Sequence, residues 1–165
     1  MMKNKIILSC IATMLFILVG FQVKNEDKTT YKCMIQMANY SGEGAYVIVS
    51  LLDKEGNYVE TLYVQGDDDE WYSEISDWWR FQGKHRRNID AITGATIRSG
   101  QRAINRIEIP NDTFNKGYTI RFETAVEDKE YFNNDIEIEL SSVGMLQGKI
   151  EGKGYIRYVR LIPQF

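Results

Sequence analysis

From Tyr31 onward the chain alternates: Tyr31, Cys33, Ile35 and Met37 interleave with Lys32, Met34, Gln36 and Ala38, a period of two that predicts a strand. Ala45 to Leu52 (AYVIVSLL) is β-branched and nearly continuous. Asp53-Lys54-Glu55-Gly56 then supplies turn chemistry before Tyr58 to Val64. The pair predicts a β-hairpin with a four-residue loop and Gly56 at positive φ. Behind the acidic run Asp67 to Glu70, Trp71, Ile75, Trp78 and Trp79 recur at intervals of three and four. That spacing predicts one short helix of about three turns with an Asp N-cap. Gln82 to Ser99 carries basic and small residues and two glycines, and reads as the longest loop of the domain. Strand patterns resume at Ala103 to Ile109, Gly117 to Val126, Asp135 to Leu140 and Gly154 to Ile162, with Pro163 ending the last. About seven short strands with turn residues between them and one helix predict an all-β sandwich.

The pattern before Tyr31 is different. Ile6 to Val23 is an apolar run behind MMKNK, which reads as a secretory signal or an uncleaved membrane anchor. Residues 1–24 are therefore assigned to targeting, 25–30 to a linker and 31–165 to a single sandwich domain. Ile7-Leu8-Ser9-Cys10 resembles a lipobox, but only three apolar residues precede Cys10. Beyond the signal Cys33 is the one cysteine left, so no internal disulfide is available, and its place in a strand pattern predicts a buried structural thiol.

Charge sharpens this division. Lys3, Lys5 and Lys24 are the only charges in the first 24 residues, leaving 17 basic and 23 acidic residues and a net −6 in the rest. An acidic body argues against nucleic-acid binding, which depends on neutralising phosphates. His85 is the only histidine. Zinc sites built on two imidazoles are excluded, and a serine or threonine hydrolase would have this one base and no identifiable residue to orient it. Asp67 to Glu70 lack the alternation of a calcium loop, and helix capping accounts for them.

One short segment stands out: Asp90-Ala91-Ile92-Thr93-Gly94-Ala95-Thr96. Read plainly, it is a tight turn, with Asp90 as an Asx-turn former, Gly94 at positive φ and the threonines as adjoining strand residues. Yet two hydroxyls flanking Gly-Ala also suit a side chain that another enzyme must reach. DAITGAT resembles the D-x-x-[ST]-G-A-[ST] motif of extracytosolic proteins that carry covalent FMN, including subunits of sodium-pumping quinone reductase and Rnf complexes. In those families a flavin transferase takes FAD with magnesium and attaches FMN through a phosphoester to the last hydroxyl residue. The resemblance implies Thr96 as acceptor, with Asp90, Thr93, Gly94 and Ala95 as recognition elements.

A wider resemblance runs from about Tyr31 to Pro163. The order of the AYVIVSLLDKEGNYVETLYV hairpin, Trp78-Trp79-Arg80, DAITGAT and GYTIRFETAVE is similar to a predicted periplasmic domain-of-unknown-function family. That family looks like an immunoglobulin-type sandwich, is often found beside PepSY-type membrane proteins, and has a TGAT segment proposed as a flavinylation site. Many relatives carry a His after the strand corresponding to GYTIRFETAVE, where this chain reads Asp128-Lys129-Glu130.

A tethered isoalloxazine ring needs an aromatic face and a nearby cation. Trp71 with Ile75 and Trp78 forms the face that a helix buries. Adjacent Trp78 and Trp79 point about 100° apart on a helix, so one of them is a candidate ring platform. Arg80, Lys84, His85, Arg86 and Arg87 form a basic cluster before the acceptor. It reads either as a solvated loop or as a patch that attracts the FAD pyrophosphate and holds the FMN phosphodiester.

The leading expectation is an exported, non-catalytic electron-transfer module with FMN on Thr96, loaded by a flavin transferase and exchanging electrons with a PepSY-type membrane redox protein. The alternative is a flavin-free extracytosolic binding or assembly module that uses its aromatics and basic loop to contact a partner.

Overall fold

A computed structural model describes residues 27–85, 89, 92–142, 146 and 148–164, the side chains of Lys84 and His85 excepted. Nine strands run through these residues: β1 (Lys28–Met37), β2 (Tyr46–Leu52), β3 (Tyr58–Gln65), β4 (Thr93–Gly94), β5 (Arg102–Pro110), β6 (Thr119–Ala125), β7 (Phe132–Glu139), β8 (Ile150–Glu151) and β9 (Ile156–Gln164). They form a four-stranded sheet, β5-β1-β9-β8, and a five-stranded sheet, β4-β3-β2-β6-β7. The expected all-β sandwich with one short α-helix is the architecture found.

Alternation in β1 does what a period of two requires. Tyr31, Cys33, Ile35 and Met37 are buried and meet Val47, Val49 and Leu51 of β2 and Phe122 of β6 between the sheets. Each such side chain contributes about 1.5–3 kcal/mol of apolar burial. Cys33 is wholly enclosed, and burial pushes its thiol up to about 12, so it is a structural, unreactive cysteine.

All seven residues of β2 are buried, because this strand is covered on both faces. On its outer side lies a second cluster in which Tyr46, Ile48 and Val64 pack under Tyr72, Ile75, Trp78 and Phe81. The expected single helix is two pieces, a 3₁₀ helix at Asp69–Glu74 and helix α1 at Ser76–His85, broken at Ile75 (φ −86°, ψ 65°). The buried residues 72, 75, 78 and 81 recur every third position. That is the 3₁₀ period, in which i and i+3 eclipse, and it holds one face to the sheet through the break. Asp68 is the N-cap, its carboxylate accepting from the Glu70 amide at 3.1 Å.

Other boundaries shift for identifiable reasons. The strand β1 starts at Lys28, inside the stretch assigned to a linker, because β5 already flanks it there (Lys28 opposite Pro110). Pro163 lies within β9 opposite Tyr31 instead of ending it; β8 pairs β9 only at Tyr158 and Val159, so the far side of Pro163 needs no amide. The hairpin loop takes in Asn57, whose amide donates to Asp53 Oδ1 at 2.8 Å, and Gly56 has the expected positive φ of 81°. The predicted long loop is shortened from both ends, by α1 reaching His85 and by β4 at Thr93–Gly94.

The two sheets are also pinned by a buried carboxylate. Asp135 of β7 accepts from the Lys153, Gly154 and Ile156 amides at 2.7–3.0 Å and from Thr124 Oγ1 at 2.7 Å, which fixes the β8–β9 turn against the other sheet.

Candidate functional site

The Thr-Gly-Ala-Thr segment is built as an edge strand and a crossing. β4 pairs in parallel with the end of β3, Val64 beside Thr93 and Gln65 beside Gly94. The chain β3 then leaves the sheet at Gly66 toward the 3₁₀ helix, and the acceptor segment crosses into its place, Ile97 bridging antiparallel to Ala45. Thr96 therefore sits at the crossing, half-buried, between exposed Ala95 and buried Ile97.

Hydrogen bonds clamp the backbone on both sides of Thr96. The Gly66 amide donates to the Gly94 carbonyl, and Gln65 Nε2 donates to the Ala95 carbonyl. Asn105 Nδ2 of β5 in turn donates to Gln65 Oε1 at 2.9 Å, so the opposite sheet orients that glutamine. Beyond the crossing, Ala45 and Ile97 exchange amide–carbonyl bonds of 2.7 and 3.1 Å, and the Tyr40 hydroxyl donates to the Ile97 carbonyl at 2.8 Å. Such a backbone holds a side chain in one place for a partner enzyme.

The two threonines differ in what their hydroxyls do. Thr93 Oγ1 donates to the Ile89 carbonyl at 2.8 Å, whereas Thr96 Oγ1 has no hydrogen-bond partner among the described residues. It faces Gly44, where a Cβ would lie inside contact distance of the hydroxyl and 2.7 Å from Thr96 Cβ. Gly94 is also required, but not for the reason its sequence suggests: it is in a strand and not among the positive-φ glycines, and a Cβ there would meet the Tyr63 hydroxyl at 2.5 Å.

The proposed ring platforms separate. Trp78 is wholly buried, its indole Nε1 donating to Thr61 Oγ1 at 2.9 Å, so as a ring platform it is corrected to a core residue. Trp79 is 38% exposed. Its ring lies 5.9 Å from that of Tyr72, whose hydroxyl donates to the Gly66 carbonyl at 2.8 Å. One residue, Gly66, thus connects the aromatic helix to the acceptor segment. An open cleft of about 360 Å³ lies near Ile92 between β3 and β5, lined by Leu62, Thr61, Lys28, Arg106 and two glutamates.

Of the basic cluster, Arg80 is exposed and 3.9 Å from Asp77 Oδ1, a surface pair of little energetic weight. Asp90, Arg86 and Arg87, with the side chains of Lys84 and His85, lie outside the described residues. Acids surround the other side of the site. Burial, followed by Glu43, Asp68, Asp128 and Glu74, pushes the Glu127 carboxyl up, and burial, followed by Asp68 and Glu127, does the same to the Tyr46 hydroxyl. A phosphodiester on Thr96 would therefore draw its counter-charge from elsewhere.

Sequence reasoning did not single out Gly44, Gln65, Tyr40 or Asn105. Only Gly44 had a local signal, its position in the SGEGA segment between two strand patterns; the others act through pairings made at long range.

Among the described residues no helix is long and apolar enough to cross a membrane. A family model described as a predicted periplasmic protein (DUF2271) matches residues 28–158. No curated protein and no solved structure matches the chain.

Proposed function

Because the chain belongs to this family of predicted periplasmic proteins, we propose that it serves outside the cytosol as a flavin carrier, with FMN joined through a phosphoester to Thr96. The observation that carries the reading is the contrast between the two threonines of one motif: Thr93 is tied to the Ile89 carbonyl, and Thr96 is half-exposed with its hydroxyl unpartnered. A hydroxyl that must become a nucleophile is better left without a competing acceptor, on a backbone that does not move.

Loading would be the work of a flavin transferase. Thr96 Oγ forms the bond to the FMN phosphorus as the pyrophosphate bond of FAD breaks, AMP leaves, and the hydroxyl proton passes to a base of the transferase. Gly44 leaves room beside the hydroxyl, Gln65 and Gly66 hold the adjoining carbonyls, and Trp79 offers the exposed aromatic surface closest in connectivity to the segment. Bound there, the flavin would supply one- and two-electron redox chemistry that the protein's own side chains lack. A PepSY-type membrane redox protein is the proposed electron partner. Asp90, Arg86 and Arg87 remain proposed recognition and phosphate-holding residues.

Co-expression with a flavin transferase, followed by intact-mass measurement, tests the reading. The expected gain is one FMN less one water, absent in Thr96→Ala and retained in Thr96→Ser, which keeps the hydroxyl. No gain, or a gain that survives Thr96→Ala, refutes it.

A further inference from the structure

Among the described residues no helix covers the outer face of the four-stranded sheet, and its outward cations, Lys32, Arg102, Arg106 and Arg160, outnumber its outward acids, Glu108 and Glu151, whereas the body as a whole is acidic. Two rows of outward residues cross it side by side: Arg106, Lys32 and Ile162, then Ile104, Met34 and Arg160. Lys32 and Arg106 are register partners, so two cations stand directly opposite each other across a strand pair, an arrangement that is destabilising by itself. Among the described residues neither has a carboxylate within ion-pair distance. A shallow cavity of about 240 Å³ opens between them, beside Ile104, which at 54% is the most exposed large hydrophobic residue among the described residues. The face continues with Arg102, which donates to Tyr158 Oη at 3.2 Å, and Lys149, 4.7 Å above the Tyr158 ring.

We propose that this face docks the domain on an anionic lipid surface. Cations interleaved with apolar side chains on a sheet face, Lys32 and Arg106 among them without an ion-pair carboxylate, match headgroup phosphates and the acyl boundary beneath them. Each Lys or Arg at such a surface strengthens partitioning roughly five-fold. Chain connectivity favours a membrane over an acidic protein. Only Lys24 to Asp27 separate the apolar run from Lys28, where the strand β1 that carries Lys32 begins, and four residues span at most about 14 Å. A bilayer holding that run places this sheet at its headgroups. The acceptor segment belongs to the other sheet, so docking leaves Thr96 open to partners, and the inference stands whether or not Thr96 carries flavin.

The test uses the full chain carrying Cys10→Ser and Ile104→Cys, reconstituted in vesicles of pure phosphatidylcholine or pure phosphatidylglycerol. The rate at which a polar maleimide labels position 104 is measured; Cys33 is buried and does not compete. On phosphatidylglycerol the rate is expected to fall at least roughly five-fold relative to phosphatidylcholine and to recover with salt. Adding Lys32→Glu and Arg106→Glu should abolish the difference. Lys54→Glu, in the β2–β3 turn, should leave it intact. Equal rates on the two lipids overturn the proposal and leave an acidic protein as occupant. A fall on both lipids that grows with protein density indicates a second copy and also overturns it. So does loss of the effect with Lys54→Glu, which would make it a matter of net charge and not of this face.

Discussion

The outer faces of the two sheets were treated in opposite ways. The five-stranded sheet is roofed by Tyr72, Ile75, Trp78 and Phe81, and the strand beneath them, β2, buries all seven of its residues. Among the described residues nothing roofs the four-stranded sheet, and its central strand β1 alternates buried Tyr31 and Cys33 with exposed Lys32. Roofing changes what polar residues must do. Under the roof Glu123 is wholly buried, held by the hydroxyls of Tyr58 (2.7 Å) and Tyr131, and burial pushes its carboxyl up to about 7 despite those bonds and Arg121. On the other sheet Lys32 and Arg106 stand opposite each other at the surface, where solvent screens their repulsion.

If the roof is structural, removing its largest member should cost the most. Trp78→Ala is expected to destabilise the domain by about 3–5 kcal/mol, since it empties a closed space and leaves Thr61 Oγ1 without its donor. Denaturant titration measures it, and a loss below about 1 kcal/mol would mean that the roof is not closed in solution.

A smaller effect should come from Glu123. Its carboxyl binds a proton more tightly folded than unfolded, so the stability it contributes is fully present below about pH 4.5 and is lost as the pH rises toward 7, where the folded protein must hold a buried carboxylate. The decline is on the order of 3 kcal/mol and flattens above pH 7. Denaturation midpoints across this range should slope downward in the wild type relative to Glu123→Gln; parallel curves would place Glu123 in water.

The outer face of the four-stranded sheet should be nearly silent by the same measure. Ile104→Ser and Lys32→Glu are expected to shift stability by no more than about 0.5 kcal/mol, with Lys32→Glu tending to stabilise by relieving Arg106. A larger loss at Ile104 would show that this face is covered in solution, and the contrast between the sheets would fail.

Much of the fold was legible because its signals are local. The alternation of β1, the unbroken apolar run of β2, the Asp53–Gly56 turn and the placing of Ile75 and Trp78 on one buried face each follow from which side chains can face a core, whereas the place on that face expected for Trp71 is taken by Tyr72, and Trp71 is only partly buried. The break at Ile75 was not legible, since both helix types tolerate that spacing and only docking on the sheet selects between them. Asp135 and Glu123 read as ordinary strand polar residues; their burial depends on the β8–β9 turn and on the helix, each far away in sequence.

At the candidate site the division is sharper. The motif and its two hydroxyls are properties of seven consecutive residues, and so is the expectation, carried by the resemblance, that Thr96 is the acceptor. Which hydroxyl is free was decided by tertiary structure: β3 leaves the sheet at Gly66, the segment takes its place against Ala45, and Thr93 is spent on the Ile89 carbonyl while Thr96 turns toward Gly44. The tryptophans divide otherwise. Helical spacing already put Trp78 on the buried face with Ile75 and turned Trp79 away from it; what the tertiary structure added is Thr61 on the sheet beneath, which accepts the Trp78 indole N–H. Periodicity sets what a residue faces relative to its own element, whereas the partner it meets there depends on contacts across the chain, which no local pattern encodes.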